Sequence, residues 1–358
     1  MSGFEYLPFK YQGNYIDGVF QVPADPGGAL RDVNPGDPND VVGEFPWQAE
    51  TIDLAVSAAK RGFKVWRETS LETRAEHLNR YAEALKNNHE RLAQAISREM
   101  GKVLWEARGE VNAMIAKVGI TLNDSMRLVK DWQPDGVQGW LRYRPRGVMA
   151  VIGPFNFPGH LPNGHIVPAL ATGNTVVFKP ASHCPAVGQI MAECFHEAGF
   201  PDGVFNLIHI PGRLCDDLVL HKNVDGVLFT GSTGIGMRIE ELTLHQNWKI
   251  TALEMGGKNA AIVMDDAPME QSLYEVLTAA FLTSGQRCTA TSRIICQRGI
   301  ADEFARRLAK ATKDLAVGIQ HDANVFMGPV VDRKSAEAFD HWQKVAASEG
   351  AETLAAGG

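Results

Sequence analysis

A chain of 358 residues with 45% hydrophobic and 22% charged residues has the make-up of an ordinary soluble globular protein, long enough for two domains with sizeable cores. A net charge of −7, with no stretch that concentrates Lys and Arg, argues against a nucleic-acid surface, and no apolar run approaches membrane-spanning length. The five cysteines are odd in number and include no Cys-x-x-Cys pair, and the start has no basic segment followed by an apolar one; a disulfide framework, a zinc ribbon and a secretory signal are therefore not expected, and a reducing cytoplasm fits best.

Residues 1–45 carry Pro and Gly in quantity and predict loops with short strands. From Gln48 to about Met126 the pattern is helical. Ile52, Val56, Ala59, Phe63 and Trp66 recur at steps of three and four, as do Leu78, Tyr81, Ala82, Leu85, Leu92 and Ile96. Residues 138–146 alternate apolar and basic side chains like an exposed strand or hairpin, with Arg142, Arg144 and Arg146 on its solvated face. After Gly147 the rhythm becomes strand, loop, helix. Short buried strands are predicted at 148–152, 174–178, 204–208 and 226–229, with helical stretches such as 187–198 between them. Such alternation predicts a parallel sheet with helices on its faces. Residues 250–253 read as a further strand, 260–264 open a second α/β region, and 269–284 predict a helix leading to Cys288.

Three segments carry chemistry. Cys288 stands in Ser284-Gly285-Gln286-Arg287-Cys288-Thr289, Glu254 ends a strand just before Gly256 and Gly257, and Asn156 lies in Gly153-Pro154-Phe155-Asn156-Phe157-Pro158. Singly, each has an ordinary explanation: a packed small thiol, a solvated carboxylate, a turn-forming or helix-capping Asn. Jointly they supply a nucleophile, a base and an amide donor. A thiolate attacks a carbonyl carbon, an N–H stabilises the resulting oxyanion, and a carboxylate activates the water that clears a thioester. Arg287 is the nearest cation for an acidic substrate, with a plain salt bridge as an equal alternative. Gly231-Ser232-Thr233-Gly234-Ile235-Gly236 follows a strand and opens a helix. It is not the Gly-x-Gly-x-x-Gly fingerprint, yet helix N-terminal amides and the Ser232 hydroxyl suit a pyrophosphate. Cys184 and Cys194 read as packing residues. The histidines form no metal set, since His160 and His165 are not spaced to share a helical face.

These segments together resemble the aldehyde dehydrogenase superfamily, and the resemblance runs over nearly the whole chain. It includes Arg74-Ala75, Glu99-Met100-Gly101-Lys102 and Glu106, then Phe178-Lys179-Pro180, Phe229-Thr230-Gly231-Ser232 and Gly328-Pro329-Val330-Val331-Asp332 in family order. Within the superfamily, residues 153–165 most resemble the N-succinylglutamate 5-semialdehyde dehydrogenases of arginine catabolism. The resemblance implies an α/β fold with an atypical Rossmann cofactor domain (1–126 and 147–255), a small oligomerisation hairpin (127–146) and the first part of a catalytic domain (256–358). It implies a homo-oligomer that takes a small aldehyde, an acidic semialdehyde by subfamily, and NAD or NADP, with no metal. Cys288 is then the nucleophile and Glu254 the base. Asn156 and the Cys288 N–H form the oxyanion hole. Phe155, Lys179, Ser182, Gly231, Ser232 and Gly236 serve the cofactor, with Lys179 on the adenine ribose.

Two departures matter. Ser182 stands where NAD-preferring members commonly carry a Glu that repels a 2′-phosphate, and His183 beside it could add positive charge, so NADP is expected to be tolerated. The family's later Glu-x-Phe-Gly-Pro motif does not occur, so the chain is expected to be truncated at its carboxyl end. Acyl transfer to coenzyme A, and a non-catalytic fragment that binds a dinucleotide or a partner, are the alternatives to hydrolytic aldehyde oxidation.

Overall fold

The computed structural model describes residues 4–357. The chain begins with four strands, β1 (Asn14–Ile16), β2 (Val19–Gln21), β3 (Gly28–Asn34) and β4 (Asp37–Trp47), followed by four helices, α1 (Thr51–Trp66), α2 (Leu71–Asn87), α3 (His89–Met100) and α4 (Leu104–Asn123). Strands and helices then alternate: β5 (Val148–Ile152), α5 (His160–Ala171), β6 (Thr175–Lys179), α6 (Pro185–Glu197), β7 (Phe205–Leu207), α7 (Cys215–Leu220), β8 (Gly226–Thr230), α8 (Thr233–Thr243) and β9 (Ile250–Glu254). A second unit follows with β10 (Asn259–Val263), α9 (Met269–Phe281), β11 (Thr291–Cys296), α10 (Ala301–Lys313) and α11 (Arg333–Ser348).

One sheet runs β2-β1-β7-β6-β5-β8-β9. The five strands from β7 to β9 are parallel, and β1 joins their edge antiparallel to β7. The two-residue side-chain period divides β5 between two cores. Val148, Ala150 and Ile152 pack with Ile52, Val56 and Ala59 of α1. Met149 and Val151 pack with Ile166, Leu170, Val187 and Ile190 of α5 and α6, and with apolar residues of α2 to α4. The chain winds from β5 through β6 to β7, then returns to the other side of β5 with β8 and β9. The strand order therefore reverses between β5 and β8, which opens a crevice at their carboxyl ends, where ligands of open α/β sheets bind.

The second unit has its own two-stranded parallel sheet, β10-β11, and a small core of Val263, Leu273, Val276 and Phe304. Three sequence expectations need correction. Residues 28–47 form a long twisted hairpin, β3-β4, instead of short strands in loops. Residues 138–146 build no ladder; among the described residues the pairing there is an isolated bridge between Trp132 and Leu141. Alternation alone gives no strand when few backbone groups find a partner. The helix before Cys288 stops at Phe281, because Thr283 and Ser284 adopt left-handed backbone angles, φ 57° and 55°.

Candidate active site

The parallel strands set out the candidate residues by their carboxyl ends. The loop after β5 carries Phe155 and Asn156, β6 ends in Lys179, β8 leads to Gly231 and Ser232, and β9 ends in Glu254. Cys288 comes from the second unit, on the turn between α9 and β11, and is exposed.

The Asn156 amide Nδ2 donates to the Gln286 carbonyl at 2.7 Å, so the loop after β5 is tied to the Cys288 loop of the second unit two residues before the cysteine. Its Oδ1 accepts from the Phe157 N–H at 3.1 Å, which sets the orientation of the amide. On the far side of Cys288, Asn259 Nδ2 donates to the Cys288 and Ala290 carbonyls at 2.8 and 3.2 Å. Gly257 runs alongside: a Cβ there would sit 3.6 Å from the Cys288 carbonyl oxygen. The loop leaving Glu254 thus passes beside the backbone of Cys288. Glu254 itself is exposed. His165 of α5 pairs through Nε2 with Thr230 Oγ1 at 3.1 Å; burial holds its pKa down, opposed by the Glu254 charge.

The other thiols differ in kind. Cys184 and Cys194 are buried, and burial pushes both well above the ordinary thiol range. Burial also raises Cys215 and Cys296.

For the dinucleotide, the residues present fit an anionic phosphate ligand. Ser232 caps α8 without a side-chain cap bond, which leaves its hydroxyl available with the helix N-terminal amides. Lys179 is buried, with Nζ 3.4 Å from Ser182 Oγ, and burial lowers its pKa. A Cβ at Gly236 would lie 2.4 Å from Met255 Sδ, so a side chain there would have to displace that methionine. His183 is not free, since Nε2 lies 3.2 Å from an Asp332 oxygen.

Arg287 takes the salt-bridge alternative. Its guanidinium binds Glu106 Oε1 at 2.6 Å and Thr283 Oγ1 at 2.9 Å, pointing away from any role as a free substrate cation. Sequence reasoning missed the partners of this network. Glu106 also accepts from the Thr283 N–H at 2.9 Å. Lys102 and Glu110 form a fully buried ion pair at 2.5 Å, and Lys102 Nζ donates to the Asn156 carbonyl at 2.8 Å. Glu110 Oε1 accepts from the Gly159 and His160 N–H groups at 3.0 and 3.1 Å, at the start of α5. The available signal was that Glu106 and Glu110 fall in register with the apolar stripe of Ala107, Val111 and Met114 in α4.

Comparison with known proteins sets this geometry in context. The sequence profile of the aldehyde dehydrogenase family matches residues 22–358. The N-succinylglutamate 5-semialdehyde dehydrogenase of Burkholderia lata is 38% identical over 351 residues, 96% of this chain and 71% of the relative. That of Novosphingobium aromaticivorans is 41% identical over 297 residues, 81% of this chain and 63% of the relative. Among solved structures, an Escherichia coli NADP-dependent enzyme superposes with a TM-score of 0.90 at 31% identity, covering 96% of this chain and 72% of that one. A Pseudomonas syringae aldehyde dehydrogenase C variant, in complex with NAD+ and octanal, superposes with 0.90 at 30% identity, covering 97% and 71%.

Proposed function

Since the chain belongs to the aldehyde dehydrogenase family, we propose that it oxidises an aldehyde to its carboxylic acid through a thioester on Cys288, with NAD or NADP. The Cys288 thiolate adds to the carbonyl carbon, and the Asn156 amide with the Cys288 N–H receives the developing oxyanion. The acceptor for the hydride that leaves the aldehyde carbon would be supplied by NAD or NADP when bound. Lys179, Ser182, Ser232 and the amides that open α8 are the groups to hold it, with Phe155 at the crevice. Glu254 then takes a proton from water, whose oxygen attacks the thioester; the acid leaves and the thiolate returns. The observation that carries this reading is the Asn156 to Gln286 bond, which brings an amide donor to the loop of an exposed cysteine.

The substrate proposed is an acidic semialdehyde of the N-succinylglutamate 5-semialdehyde type, on the strength of relatives at 38% and 41% identity that carry this name. Arg287 is given no part in holding it, because Glu106 already engages that cation. With Ser182 in place of a carboxylate, NADP is expected to bind within about tenfold of NAD, a difference of roughly 1.4 kcal/mol.

The test is Glu254→Gln. Only deacylation needs the base, so the first-turnover burst of NAD(P)H should survive while steady turnover collapses. Loss of the burst as well would rule Glu254 out as a base that serves deacylation alone.

A further inference from the structure

We infer that Glu106 and Glu110, one turn apart on the buried face of α4, are positioning residues that hold the nucleophile and its amide donor on a single rigid support. The inference rests on the roles proposed for Cys288 and Asn156.

Residues four apart project from one side of a helix, so the two carboxylates face the same way. Each is committed to a different loop. Glu106 receives the Thr283 N–H, the Thr283 hydroxyl and the Arg287 guanidinium, and so fixes the start of the turn that carries Cys288. Glu110 receives the Gly159 and His160 N–H groups and the Lys102 ammonium, whose other bond goes to the carbonyl of Asn156 itself. The loops are linked again through Phe157: the Lys102 ammonium lies 3.7 Å from its ring centre and the Arg287 guanidinium 5.3 Å from it.

This is more than a surface contact network. The side chains of Lys102 and Glu110 are fully buried and that of Glu106 is 4% exposed. Buried charges are costly unless paired and fully hydrogen-bonded, so each carboxylate holds its loop in one place. The backbone answers to the same support. Thr283 and Ser284 are held in left-handed angles that non-glycine residues rarely adopt, and such strain persists only where the surroundings over-determine it. The distance between thiol and amide is thereby set by the pitch of one helix. A displacement of about 1 Å between reacting groups can cost about a hundredfold in rate.

The experiment is a double-mutant cycle on first-turnover NAD(P)H formation, with cofactor dissociation constants measured beside it. Glu110→Gln and Glu106→Gln should each slow that step by about tenfold or more in the native background and leave cofactor affinity unchanged. In an Asn156→Ala background Glu110→Gln should cost less than about twofold, because the group it positions is gone, and Glu106→Gln should lose the part of its effect that comes through the distance between thiol and amide. Equal losses in both backgrounds would mean a purely structural role and overturn the inference, as would no loss in the native background. If Asn156→Ala alone leaves the step untouched, the proposed role of Asn156 fails, and the inference falls with it by a distinguishable route. Should a Gln variant not fold, Glu110→Asp and Glu106→Asp keep the charge and withdraw it by one methylene. In the same cycle, a loss confined to the native background supports the inference and equal losses in both overturn it.

Discussion

The loop of Asn156 and the loop of Cys288 meet at one hydrogen bond and both lean on α4, yet the cations and backbones that complete them differ. The first rests on a lysine and a glutamate sealed from water, and it runs directly into helix α5. The second rests on the buried Glu106, whose arginine partner is only partly buried, contains two consecutive left-handed residues and presents an exposed cysteine. A donor that must be preorganised gains from rigidity. The proposed nucleophile, which in that reaction must meet substrate, change its bonding and be released again, sits on a loop with left-handed residues. The difference teaches that the two halves of one site tolerate perturbation unequally.

The comparison is broken most severely by Lys102→Met. Removing one member of a fully buried pair should cost about 3–5 kcal/mol in urea unfolding, because Glu110 is left charged and unpaired. Arg287→Met is the matching change on the other loop. Glu106 keeps its two bonds from Thr283, so a loss of about 2 kcal/mol is expected. Equal losses for the two would dissolve the contrast.

A third measurement uses pH. Behind the Asn156 loop, Glu99 of α3 caps α6 by accepting from the Ala186 and Val187 N–H groups, and Asp32 is buried beside it. Burial and the neighbouring carboxyl push Asp32 far above the ordinary range, and burial raises Glu99 as well. A carboxyl raised on folding binds its proton more tightly in the native state. Its contribution is complete below the unfolded pKa and is lost as pH rises toward the folded value. The contribution of this pair should therefore fall from acid through neutral to alkaline pH, by up to about 1.4 kcal/mol per pH unit for one proton, against the opposite trend of carboxylates such as Asp40 that are lowered on folding. Asp32→Asn should flatten that slope in melts at several pH values; an unchanged slope would place its source elsewhere.

The smallest effect is expected at the strained turn. Ser284→Gly relieves a left-handed angle but removes the bond from Ser284 Oγ to the Gly328 carbonyl at 2.8 Å. The two terms are each about 1 kcal/mol and opposed, so the unfolding free energy should move by less than roughly 0.5 kcal/mol. A large loss would show that the turn is less strained than its angles imply.

The sequence made much of this legible, and the parts it hid share a cause. The strands β5, β6, β8 and β9 stood out as short apolar runs, and Asn156, Glu254 and Cys288 stood out through their glycine- and proline-rich settings. Lys102, Glu106 and Glu110 did not disclose their role, since charged helical residues are normally solvated and their burial depends on partners far away in the chain. Glu106 meets Thr283 across 177 positions, and Lys102 meets Asn156 across 54. The alternation at 138–146 misled for the converse reason: a pattern suited to a strand is not a partner for one. The assignment of Arg287 depended on a neighbour that linear distance concealed.

That same stitching bears on the order of assembly. The main sheet is complete once residue 254 has emerged from the ribosome, whereas the nucleophile turn needs the Gly328 carbonyl for Ser284 and the Val331 N–H for Gln286. Closing such long loops comes late, because their entropy must be spent before the contacts repay it. A nascent chain would thus have the crevice at the ends of β5 and β8 before Cys288 is placed, and the turn that carries it would mature only when some forty further residues beyond Cys288 have been made.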